Sequence, residues 1–391
     1  MPVEIDTARQ AGTDSPALRP ILRLIYESKR WKLIAFLMAM TIIKTGIWYM
    51  PNIADSALIA RAPFVNPLSD PDNHYLYWSW LAPFLAWLVH ANGKAAFFCF
   101  ELLFSLAFTA LFILVAFRRF EEDDARTALV LFFVLPVSAT AYFWVGGDSL
   151  TLFLMMLALA FPGSLPVALL AGTGLGMQHF EQSFFACCVL AFAMGWDTLR
   201  GRNANRSYSV SWALALVFGV VAGKVVLFLL FHHLHVQVNS GRFSWLHGHL
   251  RWLLAQFYFH YQAILYSVLG VGWALIIKLA ERGRRAIPFM VALFGLLLLL
   301  LPIAGDHTRV GAIVTFPLMA VYCVLNRDFL ASTSRQFVAW VFVAWLIAPY
   351  VWVWGGIPKW SSFPFDITLL LHKAFGWFAI PANRPMWPFV Y

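Results

Sequence analysis

The chain has 391 residues, 61% of them hydrophobic and 12% charged, with a net charge of +9 and a mean hydropathy of +0.72. A soluble domain carries roughly 25% charged residues, so this chain cannot cover itself with an ordinary polar surface. Its basic excess does not point to nucleic acid, because Lys and Arg gather in short loops between apolar runs, where they decide orientation in a bilayer.

Backbone groups in lipid must be satisfied within the segment, so the apolar runs are expected as helices. In chain order they predict about eleven spans, near 31–50, 94–117, 126–145, 149–161, 165–178, 182–196, 210–231, 262–280, 287–304, 309–325 and 337–355. The three between Ser149 and Trp196 are shorter than the roughly 20 residues that cross hydrocarbon, and read as half-helices or tilted hairpins. Residues 1–22 are too polar for a cleavable signal peptide, so the first span is expected to direct insertion. The expected fold is all-α, a polytopic bundle. Residues 1–30 form a cytoplasmic segment, 31–355 the helical domain and 356–391 a Pro-, Trp- and Phe-rich tail at the outer interface. Loops 51–93 and 232–261 lie outside and mix aromatics with polar residues, which predicts amphipathic interface helices near 79–89 and 245–259.

Orientation follows from charge. With the N-terminus inside, the inner segments and their flanks hold 18 of the 28 Lys and Arg residues and the outer ones 8. The positive-inside rule therefore puts the N-terminus in the cytoplasm and the C-terminus outside, as in a multi-pass protein of the bacterial inner membrane. Lys44, Glu101 and Lys224 are the fixed charges left within spans. Cys99, Cys187, Cys188 and Cys323 lie in or beside apolar runs without CxxC or Cys/His spacing, and read as small buried hydrophobes.

The outer side collects the residues that can carry chemistry. Asp55 follows the first span and suits a general base, or equally a solvated loop acid. Asp70 and Asp72 stand in Ser69-Asp-Pro-Asp-Asn-His-Tyr75, with His74 and Tyr75; the same stretch is a good turn. Asp148 follows Gly146-Gly147 and reads as the N-cap of a short helix, or as a group holding a cation or acceptor beside a phosphate site. His179 and Glu181 mark a polar bend at membrane depth, where ionisable groups are expensive and point to function. In Asp306-His307-Thr308-Arg309, Arg309 can fork onto a phosphate with Asp306 orienting it, or form a structural ion pair. The six histidines between His232 and His260 include an HxH spacing, too weak alone to read as a metal site.

This arrangement resembles the GT-C superfamily glycosyltransferases, multi-span enzymes that take sugars from polyprenyl-phosphate donors. The likeness is carried by the acid after the first span (Asp55-Ser-Ala-Leu-Ile-Ala-Arg61) and the long outer loop through Trp80-Leu-Ala-Pro-Phe-Leu-Ala-Trp87. Arg118-Arg119 ends the second span, Gly147-Asp148-Ser149 supplies a second outer acid, and short spans with Leu169-Leu-Ala-Gly-Thr-Gly-Leu-Gly176 follow. The family's first-loop acid is often followed by a Tyr; Asp72 has Tyr75, and Asp55 has none. The resemblance implies a mannosyltransferase-like enzyme of the cell envelope, transferring sugar from a polyprenyl-phosphate donor to a lipid, glycan or protein acceptor. Asp55 or Asp72 would be the base, with Asp148 beside it and Arg309 and His179 facing the donor phosphate. No resident cofactor is read from the residues, and a divalent cation facing the phosphate is compatible with the acids. Two other readings stand beside it: a transporter or flippase for a lipid-linked or polar solute, which calls for charges in mid-span, and a non-catalytic membrane scaffold subunit.

Overall fold

The computed structural model describes residues 16–390 apart from 70, 203, 204, 206, 237–240, 356, 365, 366 and 380–388. The described chain is mostly helical. Its first long helix is α1 (Arg30–Thr45), followed by the short α2 (Ile53–Arg61) and α3 (Leu81–Leu88) of the first loop and by α4 (Lys94–Arg119). Helices α5 (Glu122–Val134) and α6 (Pro136–Phe143) form one apolar run bent by 58°. The bend falls where Leu135 is extended and Pro136 opens α6, since proline starts a helix but cannot prolong the one before it.

Next come α7 (Gly147–Ala160), α8 (Leu165–Gln178), α9 (Phe180–Leu199) and α10 (Val210–His233). The chain continues through α11 (Gly241–Leu269), α12 (Trp273–Ala280), α13 (Ile287–Leu300), α14 (His307–Met319) and α15 (Arg335–Ile347). By length and composition five described runs can cross a membrane: α4, α9, α10, Leu246–Ala280 and His307–Val324. The bent α5–α6 pair makes a sixth. At about 1.5 Å per residue, the 14-residue α7 and α8 reach only about 21 Å of the roughly 30 Å core.

Three sequence expectations change. The third short segment is longer than read, because α9 runs the full 20 residues. The interface helix expected at 245–259 runs on into the following span, with non-helical backbone at His260 and a second interruption at Gly270–Gly272. The last expected span, 337–355, is helical only to Ile347, before Ala348-Pro349, because the residue preceding a proline is driven to extended backbone; a further short helix lies at Ile367–Phe375. Val351–Trp354 is instead strand β1, pairing antiparallel with β2 (Ile357–Ser361), which pairs with β3 (Phe389–Val390). The aromatic and β-branched alternation Val-Trp-Val-Trp suits a strand.

The frame has two chemically distinct ends. At one, Arg119 binds the carbonyls of Leu159 (2.8 Å) and Ala160 (2.6 Å) at the end of α7 and the Tyr208 hydroxyl (2.9 Å). There too Arg126 binds the Ile25 and Ser28 carbonyls, Arg335 pairs with Asp123, and Arg282 binds Ser332. The basic segments predicted to share a side therefore touch one another. The other end of α7, its N-terminus, belongs to the site described below.

Between the ends, α8 and α10 lie backbone to backbone. A Cβ on Gly176 would sit 2.0 Å from the Val220 carbonyl oxygen, and one on Gly223 2.1 Å from that of Thr173. With Gly172 and Gly219 these glycines repeat at four-residue spacing, the small-residue seam that lets helices approach closely in lipid.

Two outcomes follow. Gly→Ala in an open helix position is normally favourable by up to about 1 kcal/mol. Gly195→Ala, with open space around it, should leave the melting temperature unchanged or raised, whereas Gly176→Ala should lower it by overpacking worth about 1–3 kcal/mol. In a cysteine-free background, membrane-impermeant thiol reagents should reach Lys94→Cys from one face of sealed vesicles and Arg284→Cys only from the other. Labelling of both from one face would refute the two-ended frame.

Candidate functional site

The N-terminus of α7 is fixed from three directions. The strand-like segment Trp48–Met50 bonds to Val145 on both sides (Val145 N–H to Trp48 O 2.8 Å, Met50 N–H to Val145 O 3.0 Å). A Cβ on Gly146 would lie 3.1 Å from the Met50 Cβ, and one on Gly147 2.7 Å from the Gln178 Nε2, so glycine permits this approach. Gln178 donates to the Gly147 carbonyl at 2.9 Å and accepts from the Ala82 amide at 2.7 Å. The first loop, the turn before α7 and the end of α8 are thus one joint.

The start of α14 is fixed by β1. Asp306 is the N-cap, accepting the Arg309 amide at 3.3 Å, the usual use of Asp there. Val353 donates to the Thr308 Oγ1 at 2.9 Å, Gly355 to the Gly305 carbonyl at 2.7 Å, and the Trp352 indole to the Asp306 Oδ1 at 3.2 Å.

These two helix starts meet through Arg309. Its Nη1 donates to the Asp148 Oδ2 at 2.6 Å and its Nε to the Asp306 Oδ2 at 2.8 Å. His179 Nδ1 stands 3.4 Å from the other Asp148 oxygen. Asp148 is 2% exposed, and two carboxylates share one guanidinium, so the group carries a formal charge of −1 with His179 neutral. Burial pushes the Asp306 carboxyl above its ordinary range, against the pull of Arg309 and the Trp352 indole.

Of the residues expected to act, the structure brings together Asp148, His179, Asp306 and Arg309. His307, next to Asp306, is fully buried. Asp148 is not the N-cap of its helix: Gly146 holds that position and Asp148 lies in the first turn, its carboxylate turned to Arg309. Asp55 is half-buried in the first turn of α2, a few residues past Met50, and is not among the carboxylates Arg309 binds. Asp72 lies in the helical turn Pro71–Trp78 with His74 and Tyr75, and His74 Nε2 is 3.0 Å from the Leu68 carbonyl oxygen. The Asp72 side chain and Asp70 fall outside the described residues. Glu181 is half-buried in the first turn of α9, two residues beyond His179. Among the described residues no three His, Cys, Asp or Glu side chains gather as a metal-ligand set.

Three contributors were not expected. Gln178 and Met50 each read in the sequence as the end of a span (the Met50 Sδ is 3.9 Å from the Arg309 Nη1), and Trp352 as part of a helix. A row of buried polar residues on α4 also faces this joint: Glu101 is fully buried, and Ser105 donates to the Ser149 hydroxyl at 2.9 Å.

No family model, no curated protein and no solved structure matches the chain.

Removing the guanidinium should show what it holds. Arg309→Met leaves two buried carboxylates without their counter-charge, which should cost about 3–5 kcal/mol of stability. Adding Asp148→Asn and Asp306→Asn in the same chain should return much of it. Melting of the solubilised protein measures both, and an Arg309→Met melting temperature equal to wild type would deny the clasp its role.

Proposed function

We propose that the chain is a membrane glycosyltransferase of GT-C type, with about eleven spans, that moves a sugar from a polyprenyl-phosphate donor to an acceptor at the outer face. The observation that carries this reading is the convergence of Asp148, His179, Asp306 and Arg309, from three separate parts of the chain, at the end of the frame opposite the basic segments. Applying the positive-inside rule to those segments places the clasp outside. Arg309 spends its Nε and one Nη on the carboxylates and keeps its Nη2 hydrogens for an incoming phosphate oxygen, the geometry a guanidinium offers phosphate. A phosphate drawing on Arg309 loosens its hold on Asp148, whose carboxylate, beside His179, can then accept or relay the acceptor's proton. Asp55, or Asp72 in the same loop, supplies the base if the acceptor enters from the first loop. Both clasp carboxylates are held by the guanidinium, so no step here is routed through a divalent cation.

A second reading, transport of a lipid-linked or polar solute, is favoured by Lys44 (3% exposed) and Glu101 (fully buried), charges at the depth a translocation path would use.

Sugar transfer in membranes supplied with polyprenyl-phosphate sugars separates the two. Asp148→Asn, and one of Asp55→Asn or Asp72→Asn, should lower transfer by about 10²–10⁴ at unchanged expression, and Arg309→Lys should weaken donor use. Full transfer by all three Asn variants would overturn the assignment. Solute movement across vesicles without any sugar transfer would put the second reading in its place.

A further inference from the structure

Away from the clasp, two interrupted helices and the end of a third meet around one buried ammonium. Lys44 sits in the last turn of α1 and is 3% exposed. Its Nζ donates to the carbonyls of Trp345 and, at 2.6 Å, Ala348, at the C-terminal end of α15. Beside it is a cavity of ≈ 40 Å³. Its wall includes Leu135 and Pro136 at the α5–α6 break, Gly270 and Val271 where α11 gives way to α12, and Pro349 and Tyr350 past the end of α15.

The charge there meets two carbonyls and the Trp345 ring, whose centroid is 5.1 Å from the Nζ, but no carboxylate among the described residues. None of the residues lining the cavity is acidic. A helix C-terminus presents only about half a negative charge, while a buried charge left without a partner is strongly unfavourable. An ammonium has three N–H groups, and the two carbonyls engage two of them. The neighbouring hydroxyl protons are committed elsewhere: Thr41 donates to Leu37 O (2.9 Å), Thr45 to Thr41 O (2.9 Å) and Ser267 to Ile264 O (2.8 Å). Lys44 is therefore the cationic donor at a small cavity, and one water needs only about 10–15 Å³ of such space. Interrupted backbone at membrane depth persists where it is enclosed by protein or lines a filled cavity.

We propose that this cavity binds one small monovalent inorganic anion of halide size, which completes the neutralisation of Lys44 where the two helix breaks meet the end of α15. The site is independent of the glycosyltransferase reading and of the Arg309 clasp.

The test uses the full chain purified in detergent, melted in chloride or bromide and in gluconate at equal ionic strength and pH. Halide should raise the melting temperature saturably by roughly 2–4 °C over gluconate. Lys44→Met, similar in length and uncharged, should abolish the difference, and bromide-grown crystals should show an anomalous peak beside Lys44. Equal melting of the wild type in halide and gluconate overturns the proposal, as does a halide shift that survives in Lys44→Met. If that variant does not fold, the wild-type comparison and the bromide peak still decide.

Discussion

The architecture depends on one guanidinium. Arg309 joins two helix starts, α7 and α14, that are 161 residues apart in sequence, and each start is held by its own set of backbone bonds. A membrane-embedded frame lacks the strong hydrophobic drive between helices that water supplies, so charged contacts have to be accurate to be useful. Here accuracy comes from Gly146 and Gly147, from the Gln178 amide used at both ends, and from β1 laid across α14. The carboxylates then meet Arg309 away from bulk water, in a low-dielectric interior where a pair of charges interacts most strongly and costs most to break.

The division of the molecule into a basic end and an acid–arginine end joins topology to chemistry. The basic residues at the first end are spent on backbone carbonyls and on neighbouring acids, so they serve both as orientation signals and as structural ties. In the clasp at the opposite end two carboxylates share one guanidinium, and the same logic of pairing leaves a residual negative charge beside a histidine. An interfacial transferase and a solute carrier would each make use of that imbalance, but in different ways. The former needs it facing a substrate at the surface; the latter needs it continuous with Glu101 and Lys44 deeper in the frame.

Much of this was legible in the residues. Hydrophobic run length located the apolar helices, five or six of which among the described residues are long enough to cross a membrane, because lipid removes every other way of satisfying the backbone. Asp148, His179, Asp306 and Arg309 stood out because ionisable groups next to apolar runs are costly. What could not be read was their partnership, since a contact between Asp148 and Arg309 leaves no periodic trace in either segment. Trp352 was hidden for a different reason: Val351–Trp354 is as apolar as the helix before it, and only Pro349 signals that the backbone has changed. The 182–196 segment was read short because its polar N-terminus, Glu181-Gln182-Ser183, masks a helix that already begins at Phe180.

The glycine seam between α8 and α10 has a mechanical consequence. Two helices whose backbones touch cannot slide or tilt against each other without carbonyl oxygens colliding with α-carbons, so this pair behaves as a stiff plate. His179, immediately after α8, inherits that stiffness and serves as a fixed reference point in the clasp. Compliance is left to the jointed helices, α5–α6 with its 58° elbow and α11–α12 with its break at Gly270, and it is between these elements that the frame can flex.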